Sequence, residues 1–166
     1  MHAELRPLTI EDGMDLYDML QEIPKDENGF MNGMHGRSVE EYRSWLEHFH
    51  LIAQSSGLKD WMVPQSTFWL YVNGQPVGMG KIRHRLTEKL LVDGGHIGNT
   101  IRPSCRGKGY GKLQLQLLLS QAKKLGIERV LLTIRNSNQP SLHTALSCGG
   151  MIEKATEEKH YIWITL

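Results

Sequence analysis

Apolar positions recur along this chain at helical spacing in some stretches and at strand spacing in others, and the changes of period divide it into elements. Ala3 to Leu8 reads as a short strand ended near Thr9. Thr9 is a plausible N-cap, and Asp12 favours the positive end of the helix that follows through Leu16, Met19, Leu20 and Ile23. Pro24 stops that helix, and a loop rich in Gly, Asn and Met runs to Ser38. Ser38 with Glu41 forms a capping-box pattern for a second helix carrying Val39, Tyr42, Trp45, Leu46 and Phe49.

The centre favours strands. Thr67 to Val72, the Asn73-Gly74 turn and Pro76 to Arg83 predict a hairpin. A loop from Thr87 to Asp93 leads to a third strand, from about Gly95 to Arg102, ended by Pro103. A helix is expected over Tyr110 to Leu125, with Leu113, Leu117, Leu118 and Ala122 on its apolar side and Gly126 as its stop. Glu128 to Ile134 reads as a buried strand and Pro140 to Ser147 as a short helix closed by Gly149-Gly150. Met151 to Lys154 and Tyr161 to Leu166 read as two last strands. This order predicts an α/β (α+β) fold, a mixed sheet with helices on both faces.

Composition narrows the partners more than the fold. The 166 residues fit one domain spanning 1–166, able to bury a core without a metal or disulfide staple. The formal net charge of +1 gives no global reason to expect nucleic acid or a membrane surface as partner. Two cysteines, Cys105 and Cys148, make no disulfide framework and suit a reducing compartment. With no apolar run of signal-peptide or membrane-spanning length, the expected location is the cytoplasm. His48 and His50 lack clustered companions, so no metal site is read.

The chemistry concentrates in Arg106-Gly107-Lys108-Gly109-Tyr110-Gly111, which follows a strand and opens a helix. Alternate glycines let the backbone curl close to a ligand, and the N–H groups converge at the helix's positive end. Such a nest suits a diphosphate, with Arg106 and Lys108 adding charge. Two rival glycine-loop readings fail on spacing. Gly111-Lys112 is followed by Leu113 where a P-loop needs Ser or Thr, and Lys112 occupies the third glycine position of a dinucleotide fingerprint.

The segment resembles the GCN5-related N-acetyltransferase superfamily. Arg106 to Gly111 matches that family's acetyl-CoA loop, and Asn138-Gln139-Pro140-Ser141, ending at Cys148-Gly149-Gly150, matches its later Asn pattern. The stretch from Gly94-Gly95-His96-Ile97-Gly98 to Pro103 is similar to a bacterial branch of predicted acetyltransferases. The resemblance implies a mostly antiparallel central sheet of about six to seven strands, two of them splayed so that the cofactor wedges between them. Those two are the strands at 95–102 and 129–135. It implies acetyl-CoA as co-substrate. Ile101 would offer backbone groups to the thioester and pantetheine arm. Arg106, Gly107, Lys108, Gly109, Tyr110 and Gly111 would give amides to the pyrophosphate, and Asn138 would hydrogen-bond the pantetheine.

The sequence departs from the family at two positions. Ala145 stands where many members place the Tyr that protonates the leaving thiolate, and Gly150 replaces a bulky aromatic. His143, on the same short helix, is the substitute acid, with a solvated helix histidine as the other reading. Attack by an amine needs a base or a water chain, and a histidine with a pKa of about 6.5 suits the task. His96, on the strand leading to the loop, is the candidate base, and a structural histidine within the sheet is the alternative. Asp93 and Glu88 are weaker candidates.

Other conspicuous residues receive plain readings. Lys81 with Arg83-His84-Arg85 reads as a solvated charged edge, with attraction of an acidic acceptor as the other reading. Trp45, Trp61, Phe68 and Trp69 read as core, and the Met31, Met34 and His35 loop as a lining for the acceptor pocket, with a disordered connection as the alternative. The expected activity is transfer of acetyl from acetyl-CoA to a primary amine of a small molecule or peptide. A non-catalytic acyl-CoA sensor and a plain anion nest are the alternatives, and a homodimer is left open.

Overall fold

The computed structural model describes residues 1–166. Strand β1 (Ala3–Pro7) pairs with β4 (Gln65–Val72), β4 with β5 (Gln75–Arg83), and β5 with β6 (Ile97–Ile101). These form a four-stranded sheet in the order β1-β4-β5-β6. A second, three-stranded sheet holds β7 (Arg129–Arg135), β9 (Lys159–Thr165) and β8 (Met151–Ala155), with β9 in the middle. Every ladder is antiparallel. The expected single sheet of six to seven strands is therefore two sheets, of four and three, because β6 and β7 share no ladder.

Helices α1 (Met14–Glu22) and α2 (Val39–Ala53) cover one face of the larger sheet. Leu16, Met19, Leu20, Tyr42 and Leu46 pack there on Trp69, Tyr71 and Met79. Helix α4 (Tyr110–Lys124) covers the other face and continues the core onto the smaller sheet, where Leu115, Leu118 and Ala122 meet Val130, Leu132 and Ile162. Its buried side is thus Leu115, Leu118, Leu119 and Ala122 with Gln114, whereas Leu113 and Leu117 are only half-buried. Helix α5 (Gln139–Ser147) sits beside α4 and buries Ala145.

Local signals act as expected at several boundaries. Ser38 accepts from the Glu41 amide at 3.1 Å, and the reciprocal Glu41 contact completes the capping box of α2. Asn73 and Gly74 take φ of 50° and 79°, the left-handed pair that turns a tight hairpin. Thr9 does not cap α1. Its N–H and hydroxyl both donate to Asp12 in a separate turn, and the helix starts after Gly13. Within the expected Pro24–Ser38 loop, β2 (Asp26–Glu27) and β3 (Phe30–Met31) form a miniature hairpin. Part of the expected Thr87–Asp93 loop is a short helix, α3 (Glu88–Val92), capped by the Thr87 hydroxyl. Trp69 and Phe68 are core as expected and Trp45 packs at its edge, but Trp61 is 73% exposed.

No helix is long and apolar enough to cross a membrane.

Candidate functional site

The two sheets meet at one point and part from there. The His96 N–H donates to the Leu131 carbonyl at 2.9 Å, and the Leu131 N–H donates to His96 Nδ1 at 2.9 Å. Beyond this junction no ladder joins β6 to β7, and a cleft of about 900 Å³ opens, within the range of small-molecule and cofactor sites. All of β6, from Ile97 to Ile101, lines one wall, and Leu132 to Arg135 line the other.

The start of α4 closes one end of this cleft. Gly107 and Gly109 have φ of 77° and 81°, a conformation that side chains resist, and this curl delivers the chain into the helix. Gly109 is the N-cap and no side chain caps the helix. The first-turn N–H groups of Tyr110, Gly111 and Lys112, all at the cleft, are therefore left without intrahelical or capping acceptors. A Cβ placed on Gly107, Gly109 or Gly111 meets no heavy atom within 4 Å. An uncapped, positive helix end beside open space fits an anionic group of diphosphate kind.

The Arg106 side chain is engaged within the protein. Its Nε donates to the Ile101 carbonyl at 2.9 Å and its Nη2 pairs with Glu27 at 2.5 Å. Arg106 thereby ties the loop to the β2–β3 hairpin. Glu22, at the end of α1, fastens the preceding turn through Arg102 at 2.7 Å and the Ser104 N–H at 2.6 Å. Partial burial raises the Glu22 pKa, but the bonds from Ser104 and Arg102 outweigh it and hold the carboxyl below its ordinary range.

The sequence from residue 2 to residue 151 matches the family model described as Acetyltransferase (GNAT) domain. The chain belongs to the GNAT acetyltransferase family. On that membership it is an acetyl-CoA-dependent acyltransferase. No curated protein sequence matches it. Solved structures give the same fold at low identity. The acetyltransferase of GNAT family from Streptococcus pneumoniae superposes with TM-score 0.67 at 18% identity, covering 99% of each chain. Campylobacter jejuni N-acetyltransferase PseH in complex with acetyl coenzyme A gives 0.67 at 14%, again covering 99% of each. The ribosomal L7/L12 alpha-N-protein acetyltransferase RimL in complex with coenzyme A gives 0.75 at 16%, covering 99% of this chain and 94% of that one.

In this GNAT domain the cleft gathers Ile101, Arg106, Gly107, Gly109, Tyr110, Gly111, Asn138 and His143. Lys108 is exposed and stands outside the cleft lining. Asn138 opens α5 with its side chain uncommitted to the helix cap. His143 lies on the exposed side of α5. Ala145 is fully buried, and a Cβ on Gly150 would fall 2.7 Å from the Ala145 carbonyl, so neither departure position has room for a ring.

His96 is not among the cleft residues of the GNAT domain. It is 7% exposed, its ring lies against Trp163, and its Nδ1 is occupied as an acceptor. Burial lowers its pKa, with the Arg83 charge adding to the effect, which keeps it neutral with the proton on Nε2. The geometry makes it the clamp between sheets rather than a base facing the acceptor. Glu88 lies outside the cleft. Asp93 lines it, but a hydrogen bond from Lys159 at 2.6 Å holds its carboxyl below its ordinary range.

Two residues read as a solvated edge are instead part of the cleft. Lys81 and Arg83 line its other end under Phe30 and Met31 of β3. Burial, with the neighbouring Arg83 charge, pulls the Lys81 pKa down to about 8, and burial also lowers that of Arg83. The small-residue register of β6, with Gly98 paired to Lys81, was the available signal, since it leaves room above the lysine for the hairpin. Met34 is core rather than pocket, whereas Met31 stays at the cleft.

Proposed function

We propose that this protein moves the acetyl group of acetyl-CoA to a primary amine by direct attack. The observation that carries this reading is one continuous cleft between β6 and β7, with the uncapped start of α4 at one end and Lys81 and Arg83 at the other. Acetyl-CoA supplies an activated acetyl thioester; a C–N bond forms, the C–S bond breaks, the amine proton leaves and the thiol is released.

In this reading the amides from Gly107 to Lys112 hold the pyrophosphate, and Asn138 meets the pantetheine. The free edge of β6 orients the thioester through its main chain. His143, which lines the cleft, returns a proton to the leaving thiolate, and water in the open cleft takes the proton from the amine. The two free cysteines suit a cytoplasmic setting.

Release of free thiol from acetyl-CoA across a library of amines tests the reading. Acceptor-dependent release supports transfer. Binding of acetyl-CoA with no release for any amine contradicts it and favours an acyl-CoA sensor of the same fold, the outcome suggested by the buried Ala145 in place of an acid.

A further inference from the structure

The end of the cleft beside Lys81 and Arg83 carries more cations than carboxylates, with Lys81, Arg83, Arg135 and Lys159 facing Asp93. Lys81 and Arg83 alternate on β5 and so point from the same face of the strand. Both line the cleft. Neither belongs to any of the ion pairs of the structure, which are Arg6–Glu4, Arg37–Glu41, Arg102–Glu22, Arg106–Glu27 and Lys159–Asp93. Their partners are carbonyls. Lys81 Nζ donates to Met31 at 2.7 Å, and Arg83 Nη1 donates to Gly94 at 3.1 Å and Gly95 at 3.2 Å.

The local acids are already engaged. Glu27 is held by Arg106 and Asp93 by Lys159; Arg83 and Arg135 feel the Asp93 charge but form no direct ion pair with it. Across the ladder from Lys81, Thr67 buries a hydroxyl with no hydrogen-bond partner. Lys81 is held in place by Phe30, whose ring centre lies 4.5 Å from Nζ. Desolvated cations left without counter-charge are costly unless a ligand completes them. The guanidinium's remaining N–H groups offer the planar fork that suits a carboxylate.

Resting on the transfer reading above, we infer that the acceptor is an amine bearing a carboxylate, which Lys81 and Arg83 bind while its amino group points toward the β6 edge. A free amino acid and an N-terminal acidic residue of a peptide both present this chemistry.

The test measures thiol release with matched acceptors: amino acids against their amides, and peptide amides beginning with Glu against those beginning with Gln. The amino-acid arm and the peptide arm separate the two sources. The carboxylate member of at least one pair is expected to exceed its neutral counterpart by about tenfold or more in kcat/KM. Lys81→Met and Arg83→Met should each erase most of that margin while KM for acetyl-CoA holds, and Lys81→Arg should retain it. Calorimetric binding of an N-acetyl amino acid, against its amide, to the CoA-loaded protein gives the same comparison without turnover. Turnover with no carboxylate preference in either arm, or a preference that survives both Met variants, overturns this inference alone. Absence of turnover with every amine overturns the transfer reading and this inference with it.

Discussion

His96 and Leu131 exchange two hydrogen bonds, each 2.9 Å, and the histidine ring serves as a main-chain acceptor in one of them. An imidazole thus does at the sheet junction what a strand carbonyl does elsewhere in a ladder. The larger and smaller sheets are joined here and open immediately beyond.

His96→Ala leaves the Leu131 N–H unsatisfied in a buried setting, and a loss of about 1–3 kcal/mol of stability is expected. His96→Asn, which retains a short acceptor, should recover part of it. Denaturant unfolding measures both. If His96 is a clamp, the pH dependence of kcat in the Asn variant matches that of the parent; a base would take an ionisation with it when replaced.

Gly111→Ala separates helix energetics from ligand binding. The site is in the first turn of α4, its φ is not left-handed, and a Cβ there touches nothing. Thermal unfolding is expected to show a gain of up to about 1 kcal/mol, the usual Gly-to-Ala difference in a helix. Acetyl-CoA affinity should fall, because that Cβ enters the space beside the amides.

Much of this loop was legible before any fold was known, since glycine spacing, strand context and helix start are all local. The capping box and the Asn73-Gly74 turn are equally local. The opening between β6 and β7 was not derivable from periodicity, because both strands carry apolar residues whether or not they pair. The β2–β3 hairpin is too short to show a period. Lys81 and Arg83 looked like an exposed edge because alternation reports the face of a strand, not what packs over it. His96 was placed on the correct strand, but its partner lies 35 residues away in sequence.

Glu22→Gln should weaken the fastening of α1 to the turn before the loop. The carboxyl lies below its ordinary value in the folded state, so its stabilisation is present above about pH 4.5 and is lost as pH falls through the folded pKa. Partly exposed as the pair is, the expected cost at pH 7 is about 1 kcal/mol. The difference between parent and variant in urea unfolding should shrink toward zero at acidic pH.

Binding of an N-acetyl amino acid should weaken as pH rises from 7 to 9. Lys81, with a pKa of about 8, loses its charge in this interval. Around it stand Arg83 on its own strand, the Phe30 ring and Met31 carbonyl of β3, Arg135 on β7, and the Asp93–Lys159 pair. Asp93, held below its ordinary range by Lys159, remains ionised throughout. Lys81→Arg should flatten the profile in isothermal titration, and the ligand itself has no amine to confuse the reading.

The account depends above all on main-chain N–H groups at the start of α4 gripping the phosphates of the acyl carrier. Parallel calorimetric titrations with acetyl-CoA and with acetyl-pantetheine, which keeps the thioester but lacks the pyrophosphate, test this most directly. Saturable binding of acetyl-CoA and a loss of roughly a hundredfold or more in affinity for acetyl-pantetheine are predicted, as for several charge-assisted hydrogen bonds removed together. Equal affinity for the two, or no heat with either, would contradict it.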